Sequence, residues 1–204
     1  MSVSLKTIVL VTAAVAVTSA SAAGCSSKPT SSPASSNSAA ATTGHGSTAT
    51  PAPAQSDDYS RLLIKVTDID TPMAFTAGSV TPNPNGQAGA ETTFSNDDKT
   101  RQIHDTVLVF GDPAAAAGAL DAANAKLGDS VRGTPAPALV GARGTSVSGN
   151  SPDGSKSVAM LLFTEGKTFT TLSFVGPPDM LPPPDFVTEL GQKQDTAIKN
   201  GLSG

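Results

Sequence analysis

Large apolar residues are distributed in three regimes along the chain. Thr7 to Ala23 is an apolar run, Ser26 to about Asp57 holds almost no large apolar side chain, and from Tyr59 onward short apolar runs alternate with turn residues. In this last region the periodicity predicts elements. Leu62 to Val66 reads as a strand or a docked extended segment, Phe75 to Val80 as a strand, and Thr81-Pro82-Asn83-Pro84-Asn85-Gly86 as a turn cluster. Ala90 to Ser95 and Gln102 to Phe110 are strands, and Thr106 to Phe110 is apolar on both faces, as in a covered central strand. Asp112-Pro113 opens a helix, since Asp caps free amides and Pro suits the first helical position. The helix is expected to run to Leu127 and stop at Gly128, with Ala116, Leu120, Ala123 and Leu127 on one face. Gly144 to Ser148 is a short strand. Ser157 to Phe163 and Thr168 to Val175 form a hairpin turning through Thr164-Glu165-Gly166-Lys167. After the proline loop from Gly176 to Pro184, a final helix runs from Asp185 to Lys199, with Gly191 as a weak point inside it. Strands, helix, three strands, helix is the order of an α+β fold, a mainly antiparallel sheet flanked by two helices.

The first 25 residues read as a targeting segment. Met1 to Lys6 carries one positive side chain, and the apolar run that follows is too short and too interrupted by Ser and Thr for a membrane span of about 20 residues. It ends in Ala22-Ala23-Gly24-Cys25. This resembles a lipobox, in which small residues precede a Cys that becomes the lipidated N-terminus. The usual lipobox has Leu three residues before the Cys, where this chain has Ala22. Ordinary secretory cleavage after Ala20-Ser21-Ala22 is the alternative, and either cut exports the protein. The single Cys of the chain stands at this junction, so no disulfide forms within a monomer. The expected organisation is a signal peptide over 1–24, lipidated Cys25 with a disordered Ser/Thr/Pro/Ala tether over 25–57, and one globular domain over 58–204. The expected modification is a diacylglyceryl thioether on Cys25, often with an added acyl chain such as palmitate, because a single chain anchors only marginally. The expected location is the extracytoplasmic face of the cell membrane.

Composition narrows the function mainly by exclusion. The 204 residues carry a net charge of −4, with 4% aromatics and no Trp. An acidic chain lacks the basic face that nucleic acid needs. A Ser-His-Asp site needs a His held by a carboxylate. The domain has His104 with Asp105 beside it, and neighbouring strand residues point to opposite faces. His104 is therefore read as a surface or structural residue. Two histidines and one Cys cannot build a zinc site. Asp68 and Asp70 form a D-x-D without the remainder of a calcium loop. Asp97-Asp98 beside Lys99 and Arg101 reads as a solvated turn, and Gly141 to Gly144 is too short for a phosphate loop. The proline run is read as stiffening the approach to the last helix, with docking into a partner's aromatic groove as the alternative. No cofactor, metal or catalytic residue is expected.

The lipobox ending at Cys25, the low-complexity stalk and the small cysteine-free domain together resemble the Lpp/Lpq lipoproteins of mycobacteria. The pattern from Thr106 to Leu127, then hairpin and terminal helix, is most similar to the LpqN-type group, which implies a Mog1/PsbP-like sandwich. A second resemblance is to the PknH-like sensor domains, whose usual disulfide framework this domain lacks. Cys25 is the one site residue that the resemblance transfers. The expected function is a non-catalytic envelope lipoprotein that binds an envelope protein or a glycolipid. The alternative is a lipid or glycolipid carrier with an apolar cavity left by the Ala-rich helix. A cell-wall-modifying enzyme using Asp68, Asp70 or Glu165 ranks third.

Overall fold

A computed structural model describes residues 58–203. The predicted leader, Cys25 and the tether lie outside the described residues. The strands are β1 (Phe75–Ala77), β2 (Thr81–Pro82), β3 (Gly89–Asn96) and β4 (Gln102–Val109), then β5 (Ala136–Ala138), β6 (Arg143–Asn150), β7 (Ser157–Glu165) and β8 (Thr168–Gly176). Helix α1 (Pro113–Asn124) separates the two groups, and α2 (Pro184–Leu202) follows the last strand. All strands join one antiparallel sheet in the order β1-β3-β4-β8-β7-β6-β5, with β2 also pairing β3. This is the expected α+β architecture.

The period-2 pattern decides which helix each strand face meets. Along β4, Ile103, Asp105, Val107 and Val109 are buried on one face, while Gln102, His104, Thr106 and Leu108 are half-buried on the other. The first face packs with Phe94, Leu161, Phe163, Leu172 and Phe174 against Val187, Leu190 and Ile198 of α2. The opposite face contributes Val147, Val158, Leu162 and Phe169 to a smaller cluster with Leu120 of α1 and Leu127. Each large side chain so buried is worth roughly 1.5–3 kcal/mol. Leu108 and Phe110 join the smaller cluster, so the end of β4 is covered on both sides as its sequence predicts.

The start of α1 follows its sequence signal. The Asp112 carboxylate accepts from the Ala115 amide at 2.8 Å, and Pro113 takes the first helical position. Helix α1 ends at Asn124 rather than Leu127, because the chain tightens into a 3-10 turn over Leu127–Asp129 that still buries Leu127. Gly191 is required by packing: a Cβ there would collide with Leu161 Cδ2 and crowd Val140, so the glycine lets α2 lie close to β7. The β7–β8 hairpin is tighter than expected. Glu165 pairs with Thr168, and Gly166 takes φ +52 in the two-residue turn.

Two expectations are corrected and one alternative is decided. Phe75 to Val80 shortens to the strand Phe75–Ala77, and part of the turn cluster, Thr81–Pro82, pairs with β3. Four strands, not three, lie between the helices, because Ala136–Ala138 forms an edge strand despite Pro135 and Pro137. Of the two readings of Leu62 to Val66, the docked extended segment holds and the strand does not. Leu63 to Lys65 runs extended between 3-10 turns at Tyr59–Leu62 and Val66–Asp68, burying Leu62, Leu63 and Ile64. Its backbone is satisfied by side chains. Gln194 Nε2 donates to the Leu62 carbonyl at 2.6 Å, and the Ile64 amide donates to Gln194 Oε1 at 3.0 Å and Asp105 Oδ2 at 3.3 Å.

A Met-lipped pocket as the candidate functional site

The titratable residues singled out from sequence do not converge. His104 Nδ1 lies 3.0 Å from Thr93 Oγ1 on the neighbouring strand, and Asp105 points to the other face, so the two do not pair. Burial holds the His104 ring below the usual imidazole range; Glu91 pulls it up and Lys156 pushes it down. Asp68 caps a 3-10 turn, accepting from the Lys65 amide at 2.7 Å. Asp68 and Asp70 both border an open trough of about 800 Å³ beside α2, and Glu165 is not on it. Glu165 stands instead 3.7 Å from Lys199 Nζ, which also pairs with Asp195 at 2.6 Å. Burial and the Asp195 charge hold the Glu165 carboxyl above its ordinary range. Asp98 accepts from Thr100 within an exposed turn, which lowers its pKa. Among the described residues no group of three or more His, Cys, Asp or Glu is placed to hold a metal ion. Cys25 lies outside the described residues.

The structure instead builds a pocket that the sequence reading did not anticipate. Its volume is about 410 Å³, and it opens where β4 begins, β8 ends and α2 starts. Ile103 and Phe174, both buried, and the half-buried Phe75 and Phe186 form its apolar walls. The rings of Phe174 and Phe186 meet edge to face at 5.8 Å between centroids. One lip is Thr71-Pro72-Met73 and the other is Met180-Leu181-Pro182-Pro183. The volume lies in the range of small-molecule pockets, about 300–1,000 Å³. The expected cavity beneath the Ala-rich helix is not this one, since no residue of α1 lines it.

The lips expose what a fold normally hides. Met73 is 38% exposed, Met180 53% and Leu181 43%. Each methionine is tethered by its sulfur: Asn96 Nδ2 donates to Met73 Sδ at 3.4 Å, and Arg101 Nη2 to Met180 Sδ at 3.4 Å. Thioethers are weak acceptors on flexible side chains, so such lips adapt readily to an apolar guest. The proline loop is pinned behind them. Ser157 Oγ donates to the Met180 carbonyl at 3.1 Å, and Asp179, in the left-handed region at φ +59, accepts from Asn150 Nδ2 at 3.3 Å. The proline run thus stiffens the approach to α2, as read from sequence, and also forms one wall of a pocket. The available signal was Met180-Leu181 set between prolines, two large apolar residues where a plain linker would be polar.

Asp105 is the other feature that the sequence reading missed. It is fully buried, with Oδ2 facing the Ile64 amide and Oδ1 without a hydrogen-bond partner. Burial pushes its carboxyl up to about 8 against the pull of that amide. Its in-phase position between Ile103 and Val107 was the signal.

No family model matches the chain, and no curated protein does. Among solved structures it is similar to the extracellular domain of PknH from Mycobacterium tuberculosis, at 10% identity and a TM-score of 0.46, over 72% of this chain and 95% of that one. That likeness is a distant one.

Proposed function

We propose that the chain is an exported envelope lipoprotein, anchored through Cys25, whose folded domain is a non-catalytic module that takes an apolar chain of a lipid or glycolipid into the pocket between the Met73 and Met180 lips. The observation that carries this reading is the pocket itself: apolar walls, exposed methionines and a volume far above that of a few trapped waters. The leader and its lone Cys supply the address. Among the described residues no helix is long and apolar enough to cross a membrane, so the lipid on Cys25 supplies the anchor in this reading. A carrier and an envelope adaptor differ here only in whether the chain is later released.

Native mass spectrometry of residues 26–204, secreted from an actinobacterial host and purified without detergent, tests this. A reproducible adduct of lipid mass, lost in Leu181→Ser, is the expected result. A clean apoprotein mass from the wild type overturns the lipid reading and leaves an envelope protein as the partner.

A further inference from the structure

The pocket carries one cation, Arg101, at its mouth. None of the three ion pairs among the described residues includes it. Its guanidinium donates from Nη1 to the Met180 carbonyl at 3.3 Å and from Nη2 to the Met180 sulfur at 3.4 Å. The contact to the carbonyl is longer than an ordinary N–H···O bond of 2.7–3.2 Å, and the other acceptor is a thioether, a weak one. A guanidinium so held keeps most of its five donors for an incoming anion.

We infer that Arg101 is the head-group end of this pocket, and that its ligand is a single-chain lipid ending in a carboxylate. This inference rests on the pocket being a binding site. The volume of about 410 Å³ is near the low end for ligand sites, which fits one acyl chain and not two. The head group follows from charge. The charged lining residues are Arg101 and the exposed Asp70, whose charges cancel, so the pocket has no surplus positive charge to hold a phosphate dianion, and a monoanion pairs with Arg101 alone. Guanidinium and carboxylate match as planar forks, with N⁺–H···O⁻ bonds shorter and stronger than the contacts Arg101 makes to Met180. The acid thereby displaces the Met180 sulfur, and the freed thioether closes over the chain. A lysine at 101 keeps the charge but loses the fork.

The test uses residues 26–204, which retain both hydrophobic clusters entire, since these lie within residues 58–203. Isothermal titration at low ionic strength compares dodecanoate with 1-dodecanol, an equal chain without the charge, and with inorganic phosphate. Wild type is expected to bind dodecanoate about tenfold more tightly than dodecanol and to ignore phosphate. Arg101→Gln is expected to erase that preference with dodecanol affinity unchanged, and Arg101→Lys to restore it only in part. Asp70→Asn is expected to tighten dodecanoate alone. Equal binding of acid and alcohol by wild type overturns the role of Arg101 and leaves the pocket reading standing. Binding of neither chain overturns the pocket reading, and phosphate binding on its own makes the site an anion site with no place for a chain.

Discussion

In Asp105→Asn a side chain of nearly the same shape replaces a carboxyl group that burial has pushed up to about 8. The unfolded chain titrates this group near 3.8, so between the two values the native state holds a proton that the unfolded state has released. Its contribution to stability is therefore complete below 3.8 and is lost as pH rises towards 8. The slope is about 1.4 kcal/mol per pH unit. From pH 5 to pH 7 the wild type loses roughly 3 kcal/mol through this one group, and Asn loses nothing. Glu165, which is raised, adds a slope of its own, whereas Asp153, which its serine partners hold at about 2, is ionised in both states throughout this range. The difference between the two proteins isolates the site. Urea unfolding followed by far-UV circular dichroism at pH 5, 6, 7 and 8 measures it. The stability of Asp105→Asn is expected to rise against wild type by roughly 3 kcal/mol between pH 5 and 7. Parallel stability curves for the two proteins would refute the reasoning, because they would mean that Asp105 is already ionised in the native state.

Three further substitutions probe the anchor and the packing. Cys25→Ser is expected to move the protein from the membrane fraction into the medium, as read by fractionation and immunoblot; retention on the membrane contradicts lipid anchoring. Gly191→Val drives a side chain into Leu161 and Val140 and is expected to cost about 1–3 kcal/mol, measured as a lowered Tm. An unchanged Tm there would mean that α2 is not seated on β7 as described. Gln194→Leu leaves the Leu62 carbonyl without its donor and is expected to cost about 1–3 kcal/mol. Hydrogen exchange should then rise at the Ile64 amide, which loses one of its two acceptors, and stay unchanged at amides of β7 and β8.

The parts of the fold that were legible in the sequence are those with a local physical cause. β3 and β4 alternate residue by residue because each has one face in the larger core, β7 is a continuous apolar run because both of its faces are covered, and Asp112-Pro113 marks a helix start through capping alone. The opposed faces of His104 and Asp105 follow from strand geometry and hold in the structure. What was not legible depends on distant partners. Leu62 to Val66 could be read as strand or docked segment, and only its distant partners decide: Gln194 and Asp105 occupy its backbone groups, so it docks without a ladder. Ala136–Ala138 is hidden by its prolines and exists as a strand because β6 offers an edge. The pocket gathers residues 70–75, 101–103 and 174–186, three separate stretches whose lips are ordinary loops until the sheet brings them together.

The central claim, an apolar chain held between two methionine lips, is tested most directly by the methionines themselves. Of the four in the sequence, Met1 precedes Cys25, Met73 and Met180 form the lips, and Met160 sits in the smaller cluster on the opposite face of the sheet. Residues 26–204 with ¹³C-labelled methionine methyls therefore give three signals, two at the pocket and one internal control. On titration with dodecanoate the Met73 and Met180 methyls are expected to shift together and saturably while Met160 stays fixed. Three unmoved signals, or a shift confined to Met160, would contradict it.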